Sequence, residues 1–252
     1  MRRLGIVIPY RDRQQHLTQA IPHLAAYFTC DKLDNVLQVH ILVVEQSIGG
    51  PFNRGLMRNI GFKLLRNSID YVCFHDIDYL PIWADYRYPN NPTMILWHGS
   101  EITAIEPGNP AKGCLFLNPA AHFGGVVLLR PEQVERVNGY ATGYWGWGHE
   151  DRDFALRLEK AGYQFERRKG TFQQLPHRSD GFLGINRPSE DNVRNGALLE
   201  SRWAKGGEWE SDGLNTTAVA VIARERLTLP PDARSDIVAE RVLVHAEIPQ
   251  RS

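Results

Sequence analysis

The chain has 252 residues, of which 42% are hydrophobic and 23% are charged, and it carries 22 glycines and 15 prolines. This composition excludes a disordered, collagen-like or low-complexity protein, and the length is sufficient to bury a core without cross-links. Lysine and arginine total 29, as do aspartate and glutamate, so the net charge is zero and no overall positive field attracts nucleic acid or anionic lipid.

The cysteines and the N-terminal sequence bear on the cellular compartment. Cys30, Cys73 and Cys114 are odd in number and widely spaced, which argues against a disulfide framework. No apolar run reaches the ~18 residues that span a bilayer, and the first residues lead into an apolar run without a signal-peptide cleavage site. We therefore expect a cytoplasmic protein, either free or peripheral to a membrane, with no transmembrane segment.

Strands and helices alternate in the first third of the chain. Short β-rich apolar runs predict strands over residues 4–8, 40–44 and 71–74, and helical spacing of apolar residues predicts helices over 14–28 and around 56–64. This alternation implies right-handed crossovers and a parallel sheet, whose ligands bind beyond the carboxyl ends of the strands.

The pattern is less regular after Pro81. We predict a strand over 123–130, a helix over 150–162 and two late strands over 216–223 and 237–244. This part has α+β character. Because the sequence contains neither an internal repeat nor a convincing linker, we expect one domain over residues 1–252.

Two acidic residues follow the third predicted strand. Asp76 and Asp78 flank Ile77, and strand alternation places both carboxylates on one side. Two such carboxylates repel each other unless a cation lies between them and a polyanion, which a metal ion with a diphosphate satisfies. Surface or helix-capping acids are an equally good interpretation of this short motif alone.

Basic and aromatic residues follow the first two strands. Arg11 and Arg13 flank Asp12 after the first strand, where a guanidinium can bind a phosphate in bidentate fashion. Phe52 and Arg54 open the second helix, where an aromatic ring can stack on a base and helix amides can hold an anion. A solvated arginine pair and a structural N-cap are the alternatives.

The densest signal is the tryptophan- and glycine-rich sequence that runs from Gly139 to Asp153. Tryptophans separated by glycines suit neither a regular strand nor a regular helix, and such a loop can form an aromatic wall over a sugar. Glu150, Asp151 and Asp153 follow at a predicted helix start, where the helix dipole favours ionised carboxylates. An ionised acid beside an aromatic platform can accept a proton from a sugar hydroxyl.

These segments together resemble the β-1,4-galactosyltransferase family, glycosyltransferase family 7, and the His75-Asp-Ile-Asp segment is most similar to the xylosylprotein type. The matching segments are, in chain order, Ile8-Pro-Tyr-Arg-Asp-Arg, Phe52-Asn-Arg, Asn59-Ile-Gly-Phe, His75-Asp-Ile-Asp-Tyr-Leu-Pro, Phe123-Gly-Gly-Val, Tyr144-Trp-Gly-Trp-Gly-His-Glu-Asp, Pro176-His-Arg and Asp212-Gly-Leu-Asn. They span almost the whole chain, and the Trp-Gly-Trp-Gly block is highly specific.

The resemblance implies a GT-A fold, an α/β domain with a central, mostly parallel sheet. It also implies transfer of galactose from UDP-galactose to a hydroxyl of an acceptor sugar, with inversion, a β-1,4 linkage and Mn²⁺ as cofactor. Residues 1–82 would form the nucleotide-binding half, and residues 83–252 the acceptor-binding and C-terminal half.

The resemblance also implies residue roles. Asp151 would be the catalytic base, Glu150, Asp151 and Trp147 would contact the acceptor, and Asp78 and His177 would bind the metal. The residues that would bind the nucleotide sugar are Arg11, Arg13, Phe52, Arg54, Asp76, Gly124, Gly125 and Trp147. By itself, a lone histidine such as His177 is more often a surface or hydrogen-bonded residue than a metal ligand.

Three positions depart from the family pattern and bear on substrate and metal. His122 stands before Phe-Gly-Gly where many members have another bulky residue, so the donor could instead be UDP-GalNAc or UDP-glucose. Gln174 stands where some members supply a methionine ligand, and Ser179 where others supply a second histidine. A non-catalytic carbohydrate-binding module is the alternative from a different functional class, and it would need no nucleotide.

Overall fold

The computed structural model describes residues 2–30, 36–96, 101–104, 123–175 and 189–246. Its strands are β1 (Arg2–Tyr10), β2 (Val36–Gln46), β3 (Tyr71–His75), β4 (Tyr79–Ala84), β5 (Thr93–Met94), β6 (Glu101–Ala104), β7 (Val126–Leu129), β8 (Glu166–Arg167), β9 (Gly170–Gln174), β10 (Val221–Arg226) and β11 (Ile237–Val244). Its helices are α1 (Gln14–Cys30), α2 (Arg54–Leu65), α3 (Pro131–Arg136), α4 (Glu150–Lys160) and α5 (Glu190–Ala204), with a 3₁₀ turn at Leu214–Thr216.

Eight strands form the central sheet in the order β10-β11-β2-β1-β3-β7-β5-β8. The four strands β11, β2, β1 and β3 are parallel to one another, whereas β7 runs antiparallel to β3 and β10 antiparallel to β11. A second sheet has the order β4-β9-β6. The parallel centre is the part that alternating strands and helices predict, and its carboxyl ends converge at one edge.

Helices cover both faces of the central sheet. On one face, Ile6 and Ile8 of β1 pack with Leu17, Ile21 and other apolar residues of α1. On the other face, Val7 packs in a second cluster that contains apolar residues of α2 and α4. Because both faces are buried, β1 and β2 read as continuous apolar runs rather than as alternating patterns.

The predicted elements of the parallel centre are confirmed, and the predicted late strand over 237–244 coincides with β11. The strand predicted over 216–223 was wrong in its first half, because the chain turns there before β10 starts at Val221. The hydroxyl groups of Thr216 and Thr217 both donate to the carbonyl of Gly213, which closes the turn. Such local side-chain bonds compete with strand formation.

The helices of the described residues can be compared with what a membrane-spanning helix requires. Within those residues, none combines the length and the apolar composition that a membrane-spanning helix requires.

Candidate active site

The site is built around the turn that follows β3. The backbone N–H of Asp76 donates to the carbonyl of Gly125 at 2.8 Å, which joins the end of β3 to the segment before β7. Ile77 is buried in the core on the α1 side, while the Asp76 side chain turns to the helix α2 on the opposite face. Asp78 is buried as well. Asp76 and Ile77 thus point to opposite faces of the sheet, while the placement of the Asp78 carboxylate on the side of Asp76 stays a prediction.

Five charged side chains form a cluster at this edge of the sheet. Arg54 Nη1 donates to Asp76 Oδ2 at 2.9 Å, and Arg54 Nε donates to Glu150 Oε1 at 2.6 Å. Arg58 Nη2 donates to Asp76 Oδ1 at 2.8 Å, and Arg58 Nη1 donates to Asp151 Oδ1. Helix α2 thus supplies two cations, and the β3 turn and α4 together supply three carboxylates.

The charges in this cluster stabilise one another. Burial would by itself raise the pKa of Asp76, but the positive charges of Arg54 and Arg58 outweigh it and lower the pKa. Burial would lower the pKa of Arg54, but Glu150 and Asp76 raise it well above its ordinary value. The three carboxylates outnumber the two guanidinium groups, so a further cation is electrostatically favoured nearby.

Helix α4 positions the predicted base. Its first turn carries Glu150, Asp151 and Asp153, as predicted, and His149 before it adopts a left-handed backbone with φ of 74°. Asp153 turns away from the cluster, because it accepts hydrogen bonds from Arg157 Nε and from Trp203 Nε1, both at 2.9 Å. The role of Asp153 is therefore structural, whereas Asp151 reaches the cluster.

Gly124 and Gly125 lie where the sequence predicts the donor sugar. An ideal Cβ on Gly124 would be 2.6 Å from Asp151 Cγ, so the carboxylate of Asp151 occupies the space that a side chain would need. Gly125 has φ of 75°, a left-handed conformation that favours glycine. The predicted sugar-binding glycine and the predicted base are thus direct neighbours.

The tryptophan loop, defined here as Tyr144–Gly148, is fastened to α5. The Nδ2 of buried Asn195 donates to the carbonyls of Trp145, Trp147 and Gly148 at 3.1 to 3.3 Å. On the other side, the N–H of Gly146 donates to the carbonyl of Phe52 at 2.8 Å. The loop therefore connects α5 with the start of α2.

In the loop after β1, the side chain of Arg11 contacts Gly50 and Phe52, whereas Arg13 contacts the start of α1 through its backbone carbonyl. The guanidinium of Arg11 lies over the Phe52 ring, 5.3 Å from its centroid, and donates to the carbonyl of Gly50 at 2.9 Å. The carbonyl of Arg13 accepts from the first amides of α1. Arg11 and Phe52, which follow β1 and β2, together form a cationic and aromatic surface.

One of the two predicted metal ligands lies outside the described residues. The structure describes Asp78 but not His177, His122 or Ser179, and no three His, Cys, Asp or Glu side chains of the described ranges are arranged to hold a metal. The N–H of Leu175 donates to the carbonyl of Asp78 at 2.7 Å, and Gln174 Nε2 donates to the hydroxyl of Tyr79 at 3.3 Å.

Sequence reasoning did not find Arg58 or Asn195. Arg58 follows Arg54 by four residues, so both side chains lie on one face of α2, and this spacing is the signal that could have identified it. Asn195 belongs to a helix that the sequence analysis did not predict.

Two family models match this sequence. Residues 1–89 match the model described as the N-terminal region of glycosyl transferase group 7, and residues 116–178 match the model described as an N-terminal domain of galactosyltransferase. Together the matches span more than half of the chain.

Curated relatives point in the same direction. The chain is 32% identical over 169 residues to β-1,4-galactosyltransferase 7 of Drosophila melanogaster, covering 66% of this chain and 47% of the relative. It is 30% identical over 240 residues to human β-1,4-galactosyltransferase 3, covering 93% of this chain and 56% of the relative. The chain thus spans about half the length of these curated relatives.

Among solved structures, the catalytic domain of Drosophila β1,4-galactosyltransferase 7 in complex with xylobiose is similar, with a TM-score of 0.76 and 23% identity. The match covers 98% of this chain and 95% of that chain. A mutant of the same fly enzyme, in complex with manganese, UDP-Gal and xylobiose, matches equally well. The likeness confirms the GT-A fold, and with the family matches it shows that the chain belongs to glycosyltransferase family 7, the β-1,4-galactosyltransferase family.

Proposed function

We propose that this protein is a metal-dependent, inverting galactosyltransferase that moves galactose from UDP-galactose to a hydroxyl of an acceptor sugar, forming a β-1,4 linkage. The observation that carries the proposal is the Asp151 carboxylate, held at the start of α4 directly against Gly124. A carboxylate in this position can accept the proton of a hydroxyl group that attacks a sugar lying on the two glycines.

The proposed reaction is a single displacement. The acceptor oxygen bonds to the anomeric carbon of the donor while its proton passes to Asp151. The bond between that carbon and the diphosphate oxygen breaks, and its electron pair leaves with UDP. Glu150 orients the acceptor beside Asp151, and the ring of Trp147 covers the reacting sugars and excludes water.

Nucleotide binding is assigned to residues at the carboxyl ends of β1, β2 and β3. Phe52 stacks on the base, Arg11, Arg13 and Arg54 bind the phosphates, and Asp76 binds the ribose. Guanidinium groups suit this role because they form paired hydrogen bonds with phosphate oxygens. The cation and ring of Arg11 and Phe52 already lie together.

The residues at the β3 turn fit a divalent cation. Asp78 provides a hard, buried carboxylate oxygen, which Mn²⁺ accepts readily, and the nearby carboxylates exceed the guanidinium groups by one. Asp78 and His177 would hold the ion. When bound, Mn²⁺ supplies Lewis-acid stabilisation of the charge that develops on the departing diphosphate.

The relatives' printed names support galactose as the transferred sugar, and the fly enzyme's complex with UDP-Gal and xylobiose supports a donor and acceptor of this type. GalNAc and glucose are the competing donors, since His122 departs from the family pattern. The division into a nucleotide half and an acceptor half, and the cytoplasmic location, stay predictions.

The proposal is tested with Asp151→Asn. We expect transfer of galactose from UDP-galactose to xylobiose, measured as UDP release, to fall about 10³-fold or more, because the amide cannot take the proton. Binding of UDP with Mn²⁺, measured by calorimetry, should persist. Asp232→Asn, on an exposed loop, is the matched control and should keep full activity.

A thermal-shift assay separates the enzyme from a carbohydrate-binding module. A ligand that binds only the folded state at about 100 times its Kd stabilises a protein by about 2.7 kcal/mol. We expect UDP with Mn²⁺ to raise the melting temperature. Comparable transfer by Asp151→Asn, or stabilisation by sugars alone without any effect of UDP and Mn²⁺, would contradict the proposal.

A further inference from the structure

Arg58 is the most deeply buried charge of the cluster, and the proposed reaction assigns it no task. Its side chain is 0% exposed, whereas that of Arg54 is 24% exposed. The guanidinium lies 4.9 Å from the centroid of the Tyr140 ring, which covers it. A buried cation is costly unless it is well paired, so the partners of Arg58 matter to the site.

Those partners come from two different elements. Nη2 of Arg58 donates to Asp76 at the end of β3, and Nη1 donates to Asp151 at the start of α4. The guanidinium is planar and rigid, so two donors fixed on two carboxylates set the distance and the orientation between them. Arg58 therefore links the predicted ribose-binding acid with the predicted base.

The two oxygens of Asp151 have different surroundings. Oδ1 accepts the hydrogen bond from Arg58, while Oδ2 lies close to the place that an ideal Cβ on Gly124 would take and is 3.4 Å from Arg54 Nη2. The oxygen beside the proposed sugar site is thus the one that Arg58 leaves unoccupied.

We propose that Arg58 is a positioning residue for Asp151: by binding Oδ1 it holds the carboxylate so that Oδ2 receives the proton of the acceptor hydroxyl. This inference rests on the proposed function, since it requires Asp151 to act as the base. Arg58 touches neither substrate in this arrangement, and its proposed effect on proton transfer passes through Asp151.

The division of work between the two arginines follows from their exposure. Arg54 is the more exposed of the two and also pairs with Glu150 and Asp76, so it is the one that an incoming diphosphate can reach. When Arg54 binds phosphate, the hydrogen bond from Arg58 to Oδ1 still holds the Asp151 carboxylate in place. The base then stays oriented in the donor complex.

The test compares Arg58→Met and Arg58→Lys with the wild-type protein. Methionine fills space but donates no hydrogen bond, and we expect kcat to fall about 100-fold while KM for the donor changes less than about 3-fold. Lysine keeps the buried charge but can direct one ammonium group to the two carboxylates only imperfectly. It should recover about a tenth of the wild-type kcat.

A double-mutant cycle with Asp151→Asn separates positioning from a general structural role. If Arg58 acts through Asp151, then Arg58→Met should change the residual transfer of Asp151→Asn by less than about 2-fold. Equal losses in both backgrounds, or an unchanged kcat in Arg58→Met, would overturn the inference. If the methionine variant does not fold, the same double-mutant cycle with Asp151→Asn is measured with Arg58→Lys instead.

The outcomes also distinguish this inference from the proposed function. Wild-type protein that transfers sugar, together with additive losses in the cycle, leaves the function standing and removes Arg58 from the positioning role. Wild-type protein that binds UDP and Mn²⁺ but transfers no hexose to any acceptor removes the base role of Asp151, and with it the role proposed for Arg58.

Discussion

Gly124 shows how one missing side chain shapes the site. The Asp151 carboxylate rests against the backbone of Gly124, where an ideal Cβ would be 2.6 Å from Asp151 Cγ. Real Cβ atoms do not approach other atoms so closely, so any side chain at residue 124 must displace the base. A change at residue 124 therefore alters both the proposed sugar site and the position of the Asp151 carboxylate.

We predict that Gly124→Ala lowers kcat by about 10-fold or more. The added methyl group displaces Asp151, and a displacement of the reacting groups by about 1 Å costs up to about 100-fold in rate. The fold should persist, since Asp151 is at a partly exposed helix start and can move. Steady-state kinetics and circular dichroism check both statements. Gly143→Ala is the control, because its Cβ would have no neighbour nearer than 3.5 Å, and a wild-type rate in Gly124→Ala would contradict the packing argument.

Sequence reasoning reached some residues of the site and not others, for a physical reason. Asp76, Asp151 and Gly124 belong to short local motifs whose chemistry is visible in the residue types. The importance of Arg58 comes from partners 18 and 93 residues away, and such contacts appear only when the chain is folded. His177 was predicted from the family pattern alone and stays a prediction.

Helix α5 binds the backbone of the tryptophan loop through two side chains, Asn195 and Arg194, of which Arg194 donates to the carbonyl of Trp145. The amide of Asn195 donates to three carbonyls of the loop backbone. Gly146 allows the loop to lie close to α5, because an ideal Cβ on Gly146 would be only 2.8 Å from Asp191 Cβ. Buried carbonyls that lose their donor are costly. Hydrogen bonds from α5 to the backbone of the loop thus help to hold the loop in place.

We predict that Asn195→Ala lowers the free energy of unfolding by about 1–3 kcal/mol, the usual effect of leaving buried polar groups without partners. Urea denaturation followed by tryptophan fluorescence measures the change, and amide hydrogen exchange of Tyr144–Gly148 should become faster. Val193→Ala, on the exposed side of the same helix, should leave both unchanged. Equal stability of the Asn195 variant and the wild type would refute this role.

Elements were predictable where apolar periodicity is strong. The runs that become β1, β2 and β3 are buried on both faces, and α1 and α2 repeat apolar residues at helical spacing. The second sheet was missed because β4, β6 and β9 are short and contain polar residues or proline. Strand direction was missed for β7 and β10, since periodicity is the same in parallel and antiparallel strands.

At the scale of the whole molecule, the partly buried carboxylate of Asp212 makes stability depend on pH. Asp212, from the Asp-Gly-Leu-Asn motif, accepts hydrogen bonds from both the N–H and the hydroxyl of Thr142, and pairs with Arg202 at 2.6 Å. Burial alone would raise its pKa, but these hydrogen bonds and the charge of Arg202 lower it. The motif thus anchors the segment that leads into the tryptophan loop.

The direction of the pH effect follows from this lowered pKa. An unfolded aspartate has a pKa of about 3.9, so as the pH falls the unfolded state binds the proton first. The stability contributed by ionised Asp212 is complete above that value and is lost as the pH falls through the lower pKa of the folded state.

We predict that Asp212→Asn lowers the free energy of unfolding at pH 7 by about 1.5–3 kcal/mol, the value of a hydrogen bond to a charged group. The difference from wild type should shrink at acid pH, once Asp212 of the folded state is protonated and resembles asparagine. Urea denaturation at pH 7 and at acid pH measures it, with Asp232→Asn as the control. A difference that stays constant with pH would show that the charge of Asp212 contributes nothing.

The placement of β11 has a consequence for biosynthesis. This strand pairs in parallel with β2, bringing Glu240 to the side chain of His40, 200 residues earlier. While the chain leaves the ribosome, the edge of β2 that faces away from β1 has no neighbour to bond with until residues 237–244 have emerged. An incomplete product that ends before residue 237 would present this apolar edge to other chains, so we expect it to aggregate and to depend on chaperones.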